Sequence, residues 1–322
     1  MSRISVGILR GGTSSEYPLS IKTGAAMMKA LPEDAYDTRD ILIDKSGMWH
    51  LRGQPTTPAR VLSQMDVVLN ALHGGVGEDG TVQRIIERAG VPYTGIRSNA
   101  AGAAMNKNTA REILQRAGVK MPRAVSFSAQ NDLNTADMAQ FTFAQFGPPY
   151  MIKPTSEGAG AGIRYASSFL ELPDAIGDVI DEYGAAIIEE YVRGHEASVG
   201  VIDAYRNEDF YVLPPSHVQR EGRFTAPHHH HEGLLKHQVP SQFSHTQKLS
   251  LADVARRAHR ALGMRHFSRS DIIVTPTALY LLEVNALPGL YEGASFPHML
   301  EAVGSSVGEF LQHAISLARK GV

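Results

Sequence analysis

A chain of 322 residues with no cysteine and a formal charge of −2 can hold two or three domains, but it cannot hold disulfides or thiolate metal centres, and it suits a reducing compartment. Near-neutral charge argues against a broad nucleic-acid or membrane surface. The opening MSRISVGILRGGTSSE lacks a signal-peptide apolar region and no run reaches the ~18 apolar residues of a membrane span, so a soluble cytoplasmic protein is expected.

In chain order, ISVGILRGG reads as a short apolar strand entering a Gly-rich turn, and SIKTGAAMMKAL has helical spacing. MDVVLNAL is a second buried strand ending at HGGVGEDG, TVQRIIERAG a helix closed by glycine, and VPYTG another short strand. Such alternation predicts a parallel sheet flanked by helices, with ligands at the carboxyl ends of its strands. Both Gly-rich turns, residues 10–16 and 73–80, fall there. From MNKNTAREILQRAGV the pattern becomes α+β: a helix, PRAVSF, a second helix, then PPYMIKPTSEGAGAGIRYA as strand, glycine loop, strand. AAIIEEYVRGHEASVGVI reads as strand, connector, strand, whereas residues 205–245 are polar, His-rich and give no regular element. KLSLADVARRAHRALG is an amphipathic helix, and VGSSVGEFLQHAISLARK closes the chain as another.

SRSDIIV and LLEVNALPG are apolar runs separated by the turn-like TPTA, which predicts an antiparallel hairpin. Glu283 and Asn285, two apart, leave one face of their strand. A three- or five-residue turn would bring Asp271 onto that face, collecting two carboxylates and an amide suited to a hard cation such as magnesium. An acid at a strand end is by itself most simply a solvated terminus. MIKPTSEGAGAG sets Lys153 before Gly158, Gly160 and Gly162. Glycines let backbone N–H groups close on phosphate oxygens, although a tight hairpin explains them as well, and the spacing is neither that of a Walker loop nor that of a dinucleotide fingerprint. Glu189, Glu190 and Glu196 in IIEEYVRGHE could serve an adenosine or be an acidic turn; His73 and Glu16 each sit on a glycine turn and each has a structural explanation.

The order of these segments is more telling than any one of them. From GGTSSE through NALHGGVGEDGTVQ, GVPYTG, AMNK, IKPTSEGAGAG and IIEEYVRGHE to LLEVNALPG, the chain resembles the D-alanine–D-alanine ligases of the ATP-grasp superfamily. That resemblance implies a Rossmann-like parallel-sheet substrate domain over residues 1–103, followed by a two-lobed ATP-grasp fold. The lobes are a central one over 104–192 and a C-terminal one over 193–322 carrying a metal site and a mobile loop. It implies ATP as cosubstrate, two magnesium ions (manganese as an alternative), D-alanine as substrate, a homodimer, and neither nucleic acid nor membrane as partner. By resemblance, Lys107 and Lys153 hold phosphates beneath the loop of Gly158 and Gly160. Glu189, Glu190 and Val192 meet adenine, the last two through backbone, and Glu196 takes the ribose. Asp271, Glu283 and Asn285 become metal ligands, Arg269 steadies the transferring phosphoryl and the tetrahedral intermediate, and the Gly289 N–H serves as an oxyanion donor. Glu16 binds the first substrate's ammonium with His73 nearby, Ser295 lies near the second substrate's carboxylate, and Lys236 is the lysine of the mobile loop.

Departures fall on the amino-acid side. The family places serine where this chain has Ala159 and tyrosine where it has His237, and after LPG it usually shows threonine and serine, where GLYEGASFP has Tyr291, Ala294 and Ser295. The expected function is therefore D-alanine–D-alanine ligation through an acyl phosphate, with two alternatives: a relative joining another amino acid or hydroxy acid, or a non-catalytic nucleotide-binding protein. Metal storage by His228–His231 would leave the rest of the chain unexplained.

Overall fold

The computed structural model of the chain describes residues 3–158, 160–219, 222 and 234–321. Its strands form three sheets. In the first, β1 (Ile4–Gly11) lies between β2 (Tyr36–Ile43) and β5 (Val67–Asn70), parallel to both. This is the parallel core that the alternation predicts. An antiparallel hairpin, β3 (Trp49–Leu51) and β4 (Gln54–Thr56), extends the β2 edge. Helices α1 (Tyr17–Ala30), α2 (Pro58–Leu62) and α3 (Thr81–Arg88) accompany this sheet. VPYTG forms no strand of its own; Tyr93 makes a single bridge to Val68.

Helix α4 (Ser98–Met105) stops at Asn106, whose side chain accepts the Asn108 and Thr109 N–H groups and so caps α5 (Lys107–Arg116). The helix expected from MNKNTAREILQRAGV thus begins at Lys107. A four-stranded sheet follows in the order β6-β9-β7-β8, built from β6 (Ala124–Ser128), β7 (Tyr150–Pro154), β8 (Arg164–Ala166) and β9 (Ala185–Glu190). It is backed by α6 (Thr135–Gln145) and α7 (Leu172–Tyr183) over a core that includes Tyr150, Ile152, Ile176 and Ile188.

The third sheet centres on β10 (His195–Tyr205), paired with β14 (Phe267–Val274), which in turn pairs with β15 (Leu279–Asn285). Three further strands, β11 (Glu208–Val212), β12 (Ser216–Gln219) and β13 (Lys236–Gln238), occupy the polar stretch where the sequence predicts no element. They are short and lie at the sheet's margin, where one face or edge meets water and little apolar alternation is needed. Ser244 and Gln247 form a capping box on α8 (His245–Ala261), and Ser306 and Glu309 form one on the closing helix α10 (Val307–Lys320). The latter, with α9 (Ser295–Glu301), packs Phe296, Phe310 and Leu311 into one core with Val6, Ile8 and Leu69 of the first sheet. No helix among the described residues is long and apolar enough to cross a membrane.

Candidate active site

The β14–β15 hairpin sets Asp271 opposite Glu283 and Arg269 opposite Asn285. Residues opposite one another share a face, so all four polar side chains project together, as the spacing anticipates. The route differs from the predicted turn of three or five residues. The turn is Thr275–Ala278, four residues closed by the Thr275 hydroxyl to the Ala278 carbonyl at 2.8 Å. Alone it would oppose Asp271 with Leu282. A bulge beside Asp271 adds the missing residue and restores Glu283 to the shared face.

Arg269 clasps Asp271 with Nε at 3.0 Å and Nη2 at 2.7 Å, the Ser198 hydroxyl donates to the same carboxylate at 2.6 Å, and Asn285 Nδ2 donates to it at 3.0 Å. Burial works against the Arg269 charge, but Asp271 and then Glu283 overcome it and hold the guanidinium more firmly protonated than usual.

On the nucleotide side, the end of β7 delivers Lys153 and the end of β9 delivers Glu189. The Glu189 carboxylate, 4% exposed, pairs with Lys153 Nζ at 2.6 Å and with Arg111 of α5. Burial alone would raise the Glu189 pKa; Lys153 and Arg111 reverse that and keep it below the usual value. Its side chain is therefore a hub for cations, while Glu189 also lines the cleft that Glu190 and Val192 line. Glu190 directs its carboxylate to the Arg123 N–H and guanidinium, each at 2.8 Å, and its own N–H to the Arg123 carbonyl. A cleft of about 870 Å³ brings together Lys153, Gly160, Glu190, Val192, Glu196 and Glu283. Lys107, first residue of α5, reaches the Glu157 carbonyl with Nζ, while its N–H donates to the Thr155 carbonyl at 2.9 Å, so it braces the glycine loop. Burial lowers its pKa, as does the charge of Lys153, with Glu283 opposing.

An adjoining cavity holds Glu16, Glu78, Glu157 and Glu283 facing Lys107 and Lys153. Glu16 comes from the residue preceding α1 and makes no capping bond there, so its carboxylate is left for the cavity. Both Gly74 and Gly158 pass against it: a Cβ on either would lie 2.7 or 2.6 Å from Oε1, and Gly74 also has φ +68°. At Gly74 the positive φ favours glycine, and at Gly158 a Cβ would displace the end of the Glu16 side chain. Burial, then the charges of Glu78, Glu283 and Glu157, push Glu16 up to about 8, with Lys107 partly offsetting them. His73 is buried beneath, its Nε2 2.7 Å from the Thr23 hydroxyl and its carbonyl accepting the Ser14 hydroxyl at 2.6 Å.

A third cleft, which Arg269 and Asp271 also line, includes Lys22, Glu196, His237, Tyr291 and Ser295. The Ser295 hydroxyl is buried without a hydrogen-bond partner among the described residues, so an acceptor group placed here would satisfy it. Gly289 packs on the Tyr291 ring, where a Cβ would be 2.6 Å from Cε1, and lines none of the three clefts. Lys236 is exposed at the start of β13 and is likewise not among their lining residues, although its neighbour His237 is. Ala159 and His228–His231 lie outside the described residues. Sequence reasoning passed over Arg111 and Glu78. The acid of HGGVGEDG was visible, but nothing local marked it as facing Glu283.

A family model described as the D-ala D-ala ligase C-terminus matches residues 113–316, and its N-terminus counterpart matches 52–96. The D-alanine–D-alanine ligase of Desulforudis audaxviator is 30% identical over 319 residues, covering 98% of both chains. The solved D-alanine–D-alanine ligase of Bacillus anthracis complexed with ATP superposes with a TM-score of 0.79 at 25% identity, over 99% of both chains. VanG D-Ala:D-Ser ligase from Enterococcus faecalis has the same fold, TM-score 0.84 at 24% identity, covering 98% of this chain and 100% of that one. With its N- and C-terminal models matched in order and a full-length relative at 30% identity, this chain belongs to the D-alanine–D-alanine ligase family and has its ATP-grasp fold.

Proposed function

We propose that the chain joins two D-alanines at the expense of ATP, supplying the dipeptide for peptidoglycan precursors, in the cytoplasm and as a homodimer. The observation that carries this reading is the Arg269–Asp271–Glu283–Asn285 face. It stands where the nucleotide cleft, the Glu16 cavity and the Ser295 cleft converge. The three sheets support a division into a substrate domain of residues 1–103, a central lobe of 104–192 and a C-terminal lobe of 193–322.

ATP lies in the 870 Å³ cleft, adenine against the Glu190–Val192 backbone and ribose at Glu196. Lys107 and Lys153 face the phosphates, and Glu189 keeps Lys153 oriented. The donor's ammonium pairs with Glu16, which the incoming cation draws into its charged form. A donor carboxylate oxygen attacks the γ-phosphorus as the bond to the β-phosphate oxygen breaks, giving an acyl phosphate and ADP. The acceptor, its carboxylate at Ser295, loses an ammonium proton and attacks the acyl carbon; phosphate then leaves. Arg269 and the Gly289 N–H stabilise the negative charge that develops. Lys236 reaches the phosphates by movement of its segment.

The donor set fits magnesium: two carboxylates and an amide share one face, and Glu283 opens into both the nucleotide cleft and the donor cavity. Asn285 presents its N–H2 to Asp271, and a half-turn of the amide presents oxygen. Two magnesium ions held by Asp271, Glu283 and Asn285 would neutralise the phosphates. Phosphate release from ATP, screened against D- and L-amino acids singly and in pairs with D-lactate included, tests the reading. D-alanine alone should support turnover. The VanG match leaves a second acceptor in view, since the same fold carries D-Ala:D-Ser ligation.

A further inference from the structure

His266 has a backbone that histidine rarely adopts: its φ is +69°, in the left-handed region, and the residue is fully buried. Outside glycine such a conformation is disfavoured and persists where its surroundings impose it. Here Asp203 of β10 does so. The His266 N–H donates to Asp203 Oδ2 at 2.5 Å, the His266 carbonyl accepts the Asp203 N–H at 2.9 Å, and Asp203 Oδ1 lies 2.8 Å from His259 Nε2 on α8. The ring so placed meets the substrate domain, where Nδ1 accepts the Gly95 N–H at 3.2 Å. Arg265 completes the grip. It donates from Nε to the Gly95 carbonyl at 2.9 Å and from Nη2 to the Tyr93 carbonyl at 2.8 Å, with its guanidinium 4.9 Å from the centre of the Tyr93 ring.

Both ends of this contact lead to the candidate site. The Thr94 N–H donates to the Val68 carbonyl of β5 at 3.0 Å, and β5 runs on to His73 and Gly74. Gly95 also lies against Leu287, two residues after Asn285; a Cβ on it would be 3.4 Å from Leu287 Cδ2. On the other side, His266 directly precedes β14 and stands three residues before Arg269. The apolar core shared by the two units, with Phe296 and Phe310 against Val6 and Ile8, attracts without direction. Hydrogen bonds to one amide and two carbonyls fix a register.

We infer that His266 is a positioning residue: by accepting the Gly95 N–H, its ring sets the donor turn of the first sheet against the strand that carries Arg269. The inference rests on the ligase reading, in which the first sheet holds the donor's ammonium, the other two hold the nucleotide, and the reactants meet at the γ-phosphorus. Loss of the contact should then leave each substrate's binding nearly intact and slow the step that needs both aligned, since a misplacement of about 1 Å can cost a hundredfold.

The test uses His266→Gly and His266→Asn in the full-length protein. Glycine accepts the positive φ and lacks the acceptor atom. Asparagine also tolerates that φ, and its Oδ1 is as many bonds from the backbone as Nδ1. Steady-state kinetics give kcat and the KM values for ATP and D-alanine, positional isotope exchange within ATP reads donor phosphorylation, and amide exchange reads Gly95. With folded protein counted by ATP binding, His266→Gly should lower kcat about tenfold to a hundredfold, with KM for ATP changing less than about twofold. Isotope exchange should fall in parallel and protection at Gly95 should drop. His266→Asn should recover most of kcat and of the Gly95 protection. An unchanged kcat in His266→Gly would overturn the inference. So would equal impairment of the asparagine variant, or a loss accounted for by unfolded protein, either of which would reduce the ring to packing. If the unaltered protein forms no ADP with D-alanine, the ligase reading fails instead, and Gly95 protection in the two variants still decides whether His266 fastens the two units.

Discussion

Replacing Glu189 by glutamine isolates the contribution of the buried ion triad. Its side chain is 6% exposed and those of its partners Arg111 and Lys153 are 10% and 13% exposed, with Lys153 Nζ at 2.6 Å and Arg111 on the other oxygen. Glutamine preserves shape but leaves two cations in a region that burial already makes hostile to charge, as the lowered pKa of Lys107 beside Lys153 records. Breaking one partner out of a buried pair costs about 3–5 kcal/mol, which corresponds to about 4–7 °C in Tm for a chain of 322 residues. Because Glu189 has its pKa lowered from 4.5 by folding, its contribution is complete above 4.5 and disappears as pH falls through the depressed folded value. Thermal unfolding from pH 7 downward should therefore show the two proteins converging in acid. ATP should narrow the gap at pH 7, since its phosphates give Lys153 another anion. A difference under about 1 kcal/mol at pH 7, or one that does not shrink in acid, would refute the hub assignment.

Glu283→Gln should lower turnover by about a hundredfold or more, as expected for a lost metal ligand, with Tm unchanged, because this carboxylate faces the clefts and not the core; near-normal turnover would remove it from the metal set. Asp271→Asn should lose activity and also destabilise by about 3 kcal/mol or more, because Arg269 would lose its bidentate partner, which calorimetry can read separately from turnover. Glu16→Gln should abolish donor binding yet raise the Tm of the ligand-free protein at pH 8. Its folded pKa of about 8 lies above the ordinary 4.5, so native stability declines as pH rises between those values. The variant's advantage should vanish near pH 4.5. Arg269→Lys should reduce both kcat and Tm, since a point charge cannot replace the two-pronged contact with Asp271.

Part of the polar hairpin face was legible because side chains on a strand alternate with a strict two-residue period. Glu283 and Asn285 could be placed on one face from spacing alone, whereas Asp271 joins them through the bulge and not through the turn length that the sequence suggested. The bulge was not legible, since either side of Asp271 is equally apolar and the extra residue, Leu282, looks like any strand residue. The margin strands β11 to β13 were missed for a related reason: residues such as Glu208–Val212 are polar on their exposed side and rely on β10 for pairing. The ion pairing of Glu189 was not legible, because Arg111 is 78 positions away and only the tertiary fold brings it near. The family resemblance supplied roles for residues whose local sequence was silent, and its weakest transfer, Lys236, lies outside all three clefts.

The central claim is tested most directly by incubating the purified protein with ATP, magnesium and D-alanine, following ADP and identifying the product by mass. The arrangement of Glu16, Arg269, the acidic hairpin and Ser295 predicts ADP, phosphate and D-alanyl-D-alanine in equal amounts, with no ADP when D-alanine is left out. No ADP at saturating D-alanine, or a clear preference for an L-amino acid in the same assay, would contradict it.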